Sequence, residues 1–144
     1  MKRILFLIFI CSDANAQNIN AYECADEMQQ EDVYWCLMDK YQQSVLALKH
    51  EEVDAQKRLD KYDKEEGESR GRKEGDSLDY EPYIHLAATT FPELHQEFIL
   101  YREKQCKYSN LSNGALPGYR TAISSLYCKI NMNLSQIKWL KDFI

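Results

Sequence analysis

Apolar side chains recur every three or four residues along three long stretches of this chain, which is the spacing of one face of an α-helix. The first stretch runs from about Gln30 to Glu66 and contains no Gly or Pro. The second covers Pro92–Tyr108, and the third covers Tyr119–Phe143. Sustained alternation of apolar and polar residues, which would indicate β-strands, is missing. The pattern therefore predicts an all-α protein with three main helices in an antiparallel arrangement and a long N-terminal helix.

The second predicted helix determines how the rest of the chain should pack. Pro92 suits the first helical position, where a missing N–H costs nothing, and Thr90 stands just before it as a cap. Arg102 borders the apolar face, where it can bury its stem, and we expect Tyr101 and Arg102 to have a structural role. The residues expected to face the core are Leu94, Phe98, Tyr101, Gln105 and Tyr108.

Two connections separate the predicted helices. Residues 67–88 begin with a segment rich in Gly and mixed charges, so we expect a flexible insertion, with one short helical turn over Tyr83–Ala88. The second connection, Ser109–Gly118, contains the turn-forming pairs Asn113-Gly114 and Pro117-Gly118.

The first sixteen residues have the pattern of an export signal. A positive start at Lys2 and Arg3 precedes the apolar run Ile4–Ile10, and Ala14-Asn15-Ala16 resembles a cleavage site. A lipid anchor on Cys11 is less favoured, because a large residue precedes that cysteine. We therefore predict a single helical domain over residues 17–144 in the bacterial periplasm or secreted, without a transmembrane segment.

Four cysteines remain after the signal, and an even number in an exported chain indicates disulfides. Three pairings are possible, and we favour the two local ones, Cys24–Cys36 and Cys106–Cys128. Because a straight helix would separate Cys24 from Cys36 by about 18 Å, the first pairing requires a turn between them. Zinc is the alternative, but a C-x-x-C pair and a nearby His pair are both missing.

Charge and motif content favour a binding protein over an enzyme. The formal net charge of −5 disfavours nucleic acid, whose phosphates need Lys and Arg, and favours a basic protein partner. The three histidines, His50, His85 and His95, occur outside any known catalytic or metal-binding frame. We therefore predict no catalytic residue, no metal and no cofactor.

The cysteine spacing resembles a known family. Cys24 and Cys36 enclose eleven residues at the start of a long helix, and Tyr101-Arg102 stands shortly before Cys106. A turn at Asn113-Gly114 then leads to the fourth cysteine. Together these features resemble the LprI-type lysozyme-inhibitor family of small exported bacterial proteins.

The resemblance implies a protein that inhibits lysozyme or a related peptidoglycan-cleaving enzyme by occluding its cleft. Two alternatives remain open: a periplasmic immunity protein against a secreted wall-degrading toxin, and an envelope-associated structural protein without inhibitory activity. For the binding surface, our hypothesis is the connection Ser109–Gly118, inside the loop that a Cys106–Cys128 bridge would close. The acidic side of the first helix, around Glu51, Glu52 and Asp54, is the next surface. The residues expected to contact the partner are Asn110, Ser112, Asn113 and Leu116.

Overall fold

A computed structural model describes residues 19–26, 29–69, 83–112 and 118–144 of the chain. A short 3₁₀ helix is followed by three long α-helices that pack together, and the described residues contain no strand. The predicted all-α class and both predicted disulfides, Cys24–Cys36 and Cys106–Cys128, are confirmed. The elements are the 3₁₀ helix Ala21–Asp26, α1 Gln30–Ser69, α2 Tyr83–Ser112 and α3 Tyr119–Phe143.

The contacts of α2 with α1 run in opposite order along the two helices. His85, near the start of α2, lies 2.9 Å from the Asp63 carboxylate in the far half of α1. Arg102, farther along α2, reaches Tyr41 in the near half of α1. The two helices therefore lie antiparallel.

The contacts of α3 with α1 run in the same order along both helices. Asn133 bonds to Ser44, and Lys141 approaches Glu51 about two turns farther along both helices. Gly118 precedes α3 with a φ of 143°, a backbone conformation that favours glycine, as the predicted turn requires. The three helices thus alternate in direction along the chain.

The core is a continuous apolar cluster that draws on all three helices and on the 3₁₀ helix. Burial of such side chains is the main favourable term in folding, at roughly 25 cal/mol per Å² of apolar surface. The largest apolar side chains that are almost completely buried are Leu37, Leu48, Ile130 and Leu140.

Helix α2 begins nine residues earlier than predicted, so Pro92 lies inside the helix and not at its first position. A proline has no backbone N–H, so it leaves the carbonyl four residues earlier without its usual helical partner. That carbonyl belongs to Ala88, and the Gln56 side chain of α1 donates a hydrogen bond to it at 3.0 Å. A side chain from a neighbouring helix therefore supplies the donor that Pro92 lacks.

The predicted core face of α2 is wrong except at Phe98, which packs against the core. Leu94, Tyr101 and Tyr108 are exposed. Cys106 is fully buried and bonded to α3, and the positions four residues before and after it, Arg102 and Asn110, are buried with it. The face that carries the disulfide is therefore the buried one, and it is rotated from the predicted face. The buried positions of α2 are Ala88, Phe91, Arg102, Cys106 and Asn110.

The predicted flexible insertion over 67–88 is shorter than expected at both ends. Helix α1 continues through Gly67, which is buried, to Ser69. One glycine inside a helix costs only about 1 kcal/mol relative to alanine, which packing can offset. Residues 83–88 belong to α2, and residues 70–82 lie outside the described part of the chain.

The bond from Gln56 to the Ala88 carbonyl should be energetically coupled to Pro92. We expect Gln56→Leu to destabilise the protein in the presence of Pro92, because the carbonyl loses its donor. In the Pro92→Ala background the backbone N–H at position 92 can donate to that carbonyl. The loss in free energy of unfolding caused by Gln56→Leu should therefore be smaller by about 1 kcal/mol. Urea unfolding of the two single variants and the double variant measures this coupling.

The matched control is Gln42→Leu, since Gln42 is exposed on the same helix. Its effect on the free energy of unfolding should be equal in both backgrounds. A Gln56→Leu effect that is also independent of position 92 would show that the bond does not compensate for Pro92.

Candidate functional site

A buried polar cluster joins the three helices at the middle of the bundle. The Arg102 side chain of α2 is buried, with 4% of the residue exposed, and its Nη1 donates to Asn133 Oδ1 of α3 at 2.7 Å. Asn133 Nδ2 in turn donates to Ser44 Oγ of α1 at 2.9 Å. Ser44 Oγ donates to the Tyr41 carbonyl at 2.7 Å. We call these four residues the Arg102 cluster.

The positive charge of Arg102 is balanced by its neighbour in sequence. Arg102 Nη2 donates to Glu103 Oε1 at 2.9 Å and to the Tyr41 hydroxyl at 3.3 Å. Lys129 of α3 approaches the other oxygen of Glu103 at 2.5 Å. Because all these partners are groups of the protein itself, the cluster is a structural tie between helices.

Two carboxylates that we expected on an acidic surface of α1 are directed into the bundle instead. Glu51 lies 2.9 Å from the Arg58 guanidinium and 3.7 Å from Lys141 of α3. The carboxylate of Glu52 contacts His95 Nδ1 of α2. Burial raises the pKa of Glu52, against the opposing effects of His95 and Arg102. The acidic side of α1 is therefore an interior feature at these two positions.

The first four residues of the predicted binding connection are helical. Residues 109–112 are the last turn of α2, because the helix continues four residues beyond its predicted end. Asn110 is buried and donates to the Thr121 carbonyl at 3.2 Å, so the prediction that it is an exposed contact residue is wrong. Ser112 is exposed and bonds to the Ser109 carbonyl. The other two predicted contact residues, Asn113 and Leu116, lie outside the described residues.

Five aromatic side chains, three of them exposed and two half-buried, lie at the end of the bundle where α1 and α3 begin. Tyr34 lies between Trp35, at 5.1 Å between ring centroids, and Tyr119, at 5.7 Å. Tyr22 of the 3₁₀ helix lies 6.0 Å from Tyr127. Trp35 is 59% exposed and Tyr22 is 70% exposed. We call these five residues the aromatic end.

The aromatic end is held in place by covalent and ionic links. The Cys24–Cys36 disulfide joins the 3₁₀ helix to the first turns of α1, next to Trp35. Lys40 of α1 also bonds to Glu23 at 2.9 Å. Large aromatic rings on a tied backbone lose little entropy on binding, which favours recognition of a partner.

A shallow hollow of about 440 Å³ adjoins this end, between the last turns of α2 and the first turns of α3. It is lined by Asn110 and Leu111 on one side and by Thr121 and Ala122 on the other, with Gly118 at the turn. Ser112 follows Leu111 directly and therefore borders this same end. Within the described residues, Ser112 is the one predicted contact residue that is exposed.

Within residues 19–26, 29–69, 83–112 and 118–144, no group of three His, Cys, Asp or Glu side chains is arranged to hold a metal ion. Within the same residues, no helix is long and apolar enough to cross a membrane.

Comparison with protein-family models, with curated proteins and with solved structures finds no match to this chain. The resemblance to the LprI-type family therefore rests on the sequence features described above: the cysteine spacing, the Tyr101-Arg102 pair and the turn at Asn113-Gly114.

The Arg102 cluster should be far more important for stability than its exposed neighbour. We expect Arg102→Ala to lower the free energy of unfolding by about 3 kcal/mol, because Asn133 and its partners lose a buried donor. Tyr101→Ala is the matched control, since Tyr101 is 57% exposed, and should change stability by less than about 0.5 kcal/mol. Chemical denaturation followed by circular dichroism measures both. Equal losses for the two variants would contradict the role assigned to the cluster.

Glu103 should make stability depend on pH in the acid range. Burial raises its pKa, but hydrogen bonds from Lys129 and Arg102 outweigh burial and hold the pKa below its ordinary value. The folded state therefore binds this proton less tightly than the unfolded state, so the stabilisation is present above the ordinary glutamate pKa and is lost as pH falls through the folded-state value.

We expect Glu103→Gln to lose less stability than the wild type between about pH 6 and about pH 3, because the glutamine has no carboxylate to protonate. Urea unfolding at a series of pH values gives the two curves. Curves that run parallel through this range would show that Glu103 makes no contribution to acid sensitivity.

Proposed function

We propose that this chain is an exported protein that binds a basic protein partner through the aromatic end. By resemblance, the partner is a lysozyme or a related peptidoglycan-cleaving enzyme, and binding occludes its cleft. The observation that carries the proposal is the exposure of Trp35, Tyr22 and Tyr119 together on a disulfide-tied end of the bundle. Tyrosine and tryptophan are the residue types that most often dominate the free energy of protein–protein binding.

The shape of this end is compatible with entry into a cleft. It consists of a 3₁₀ helix and the first turns of two long helices, so it lies at one end of the bundle. The disulfide limits the conformational entropy that binding would cost. Ser112 borders the same end, so its predicted role as a contact residue remains compatible with the proposal.

Charge and redox chemistry support an exported, partner-binding role. The net charge of −5 should steer the approach of a basic enzyme, and this steering weakens at high ionic strength. Two disulfides in a chain of this size are typical of proteins that mature in an oxidising compartment. The signal-like residues 1–16 favour the same location.

Replacing Trp35 should test the aromatic end directly. We expect the oxidised wild-type protein to slow the lysis of peptidoglycan-walled cells by at least one enzyme from a panel of basic lysozymes. Trp35→Ala should weaken binding to that enzyme by about 2 kcal/mol, or roughly thirtyfold in Kd, as for an interface hot spot. Titration calorimetry measures the Kd.

Leu46→Ala is the matched control, because Leu46 is also exposed on α1 but lies about three turns from Trp35. Its Kd should equal that of the wild type. Binding that both substitutions leave unchanged would exclude the aromatic end as the interface. The absence of binding and inhibition across the whole panel would instead overturn the choice of lysozyme as partner.

A further inference from the structure

A second apolar surface lies in the other half of the bundle, between the first half of α2 and the last turns of α3. It is an open groove of about 630 Å³, which is within the range of volumes found for ligand sites. We call it the α2–α3 groove. The side chains that form it include Leu59, Phe91, Leu94, Trp139 and Phe143.

Large apolar side chains of the groove are open to solvent. Phe143 is 72% exposed, Trp139 is 39% exposed, and their rings stack with centroids 6.1 Å apart. Leu94 is exposed on the opposite wall. Contiguous exposed apolar surface of this kind is uncommon on a protein without a partner and marks interaction sites.

Two carboxylates give the groove its charge. Glu93 and Glu97 line it from α2, one helical turn apart. Like charges at this spacing repel each other and slightly destabilise the helix. Among the described residues, neither carboxylate has an ion-pair or hydrogen-bond partner, and the groove lining contains no cationic side chain. The groove therefore combines an apolar floor with uncompensated negative charge.

We propose that the α2–α3 groove binds a segment of a partner protein in which apolar side chains stand beside Lys or Arg. Trp139, Phe143 and Leu94 would take the apolar side chains, and Glu93 and Glu97 would pair with the cations. An amphipathic helix laid along two packed helices is a common way to fill such a groove. The groove is distinct from the aromatic end, so this proposal is independent of the proposed function.

The charge argues against two other occupants. An anionic membrane surface would be repelled by Glu93 and Glu97. A second copy of this chain, docked symmetrically through the same groove, would bring two such pairs of carboxylates together. A partner segment with both apolar and cationic side chains complements the apolar floor of the groove and its negative charge.

The test uses the intrinsic fluorescence of the groove. The chain has two tryptophans, so Trp35→Phe leaves Trp139 as the only reporter. In this background we would titrate a synthetic helical peptide of Leu and Lys, about 14 residues or four turns long, and a matched peptide of Leu and Glu. We expect the Leu-Lys peptide to shift Trp139 emission to shorter wavelength and the Leu-Glu peptide to leave it unchanged.

Neutralising the groove should weaken that binding. We expect Glu93→Gln with Glu97→Gln to raise the Kd of the Leu-Lys peptide about fivefold, and we expect added salt to weaken binding to the unmodified groove. The matched control, Glu31→Gln with Asp32→Asn, also removes two negative charges, but at the far end of the bundle. It should leave the Kd of the Leu-Lys peptide unchanged.

Four results would overturn the proposal. The first two are an unchanged Trp139 emission and equal binding of the two peptides. The third is an equal loss of affinity for the Leu-Lys peptide in the groove variant and its control, and the fourth is an emission shift with phosphatidylcholine vesicles alone. Self-association in a sedimentation experiment would also overturn it if Leu94→Ser abolished that association, because the groove would then bind a second copy of the chain. Leu94→Ser should stay folded, since Leu94 is exposed.

Discussion

The buried guanidinium of Arg102 is the constraint on which the arrangement of the helices depends. A charge removed from water must be surrounded by partners, and here the acceptors come from α1, α2 and α3 at once. Asn133 in turn donates a hydrogen bond to Ser44. Sliding any helix by one turn would separate these groups and leave a buried charge unpaired. The apolar core provides most of the stability, whereas this cluster fixes the register of the helices.

Other interhelical bonds are directed at backbone carbonyls. Gln56 donates to the Ala88 carbonyl, which cannot bond to Pro92. Arg58 donates to the Leu140 carbonyl in the last turn of α3, which also accepts from the Ile144 N–H. The first bond satisfies irregular backbone, and both bonds help to hold the register of the helices.

The features that sequence periodicity could predict are those that depend on local spacing. The three helices and the absence of strands among the described residues followed from it, and α3 begins and ends where predicted. The two local disulfides followed instead from the cysteine count and the positions of the cysteines. The start of α2 did not follow, because Pro92 is tolerated only through a side chain of another helix. The burial of Asn110 and Asn133 also did not follow, since polar residues on a helix carry no local sign of an interior partner.

The misassigned face of α2 has a physical explanation that bears on function. Leu94 and Tyr101 have the spacing of core residues, yet a helix in a three-helix bundle buries only the face that meets its two neighbours. Because Cys106 fixes that face, apolar residues elsewhere on α2 must remain in contact with water or with another molecule. Periodicity cannot distinguish the two kinds of apolar face. An apolar residue that the fold does not bury, such as Leu94, therefore indicates a binding surface most strongly where uncompensated charge adjoins it.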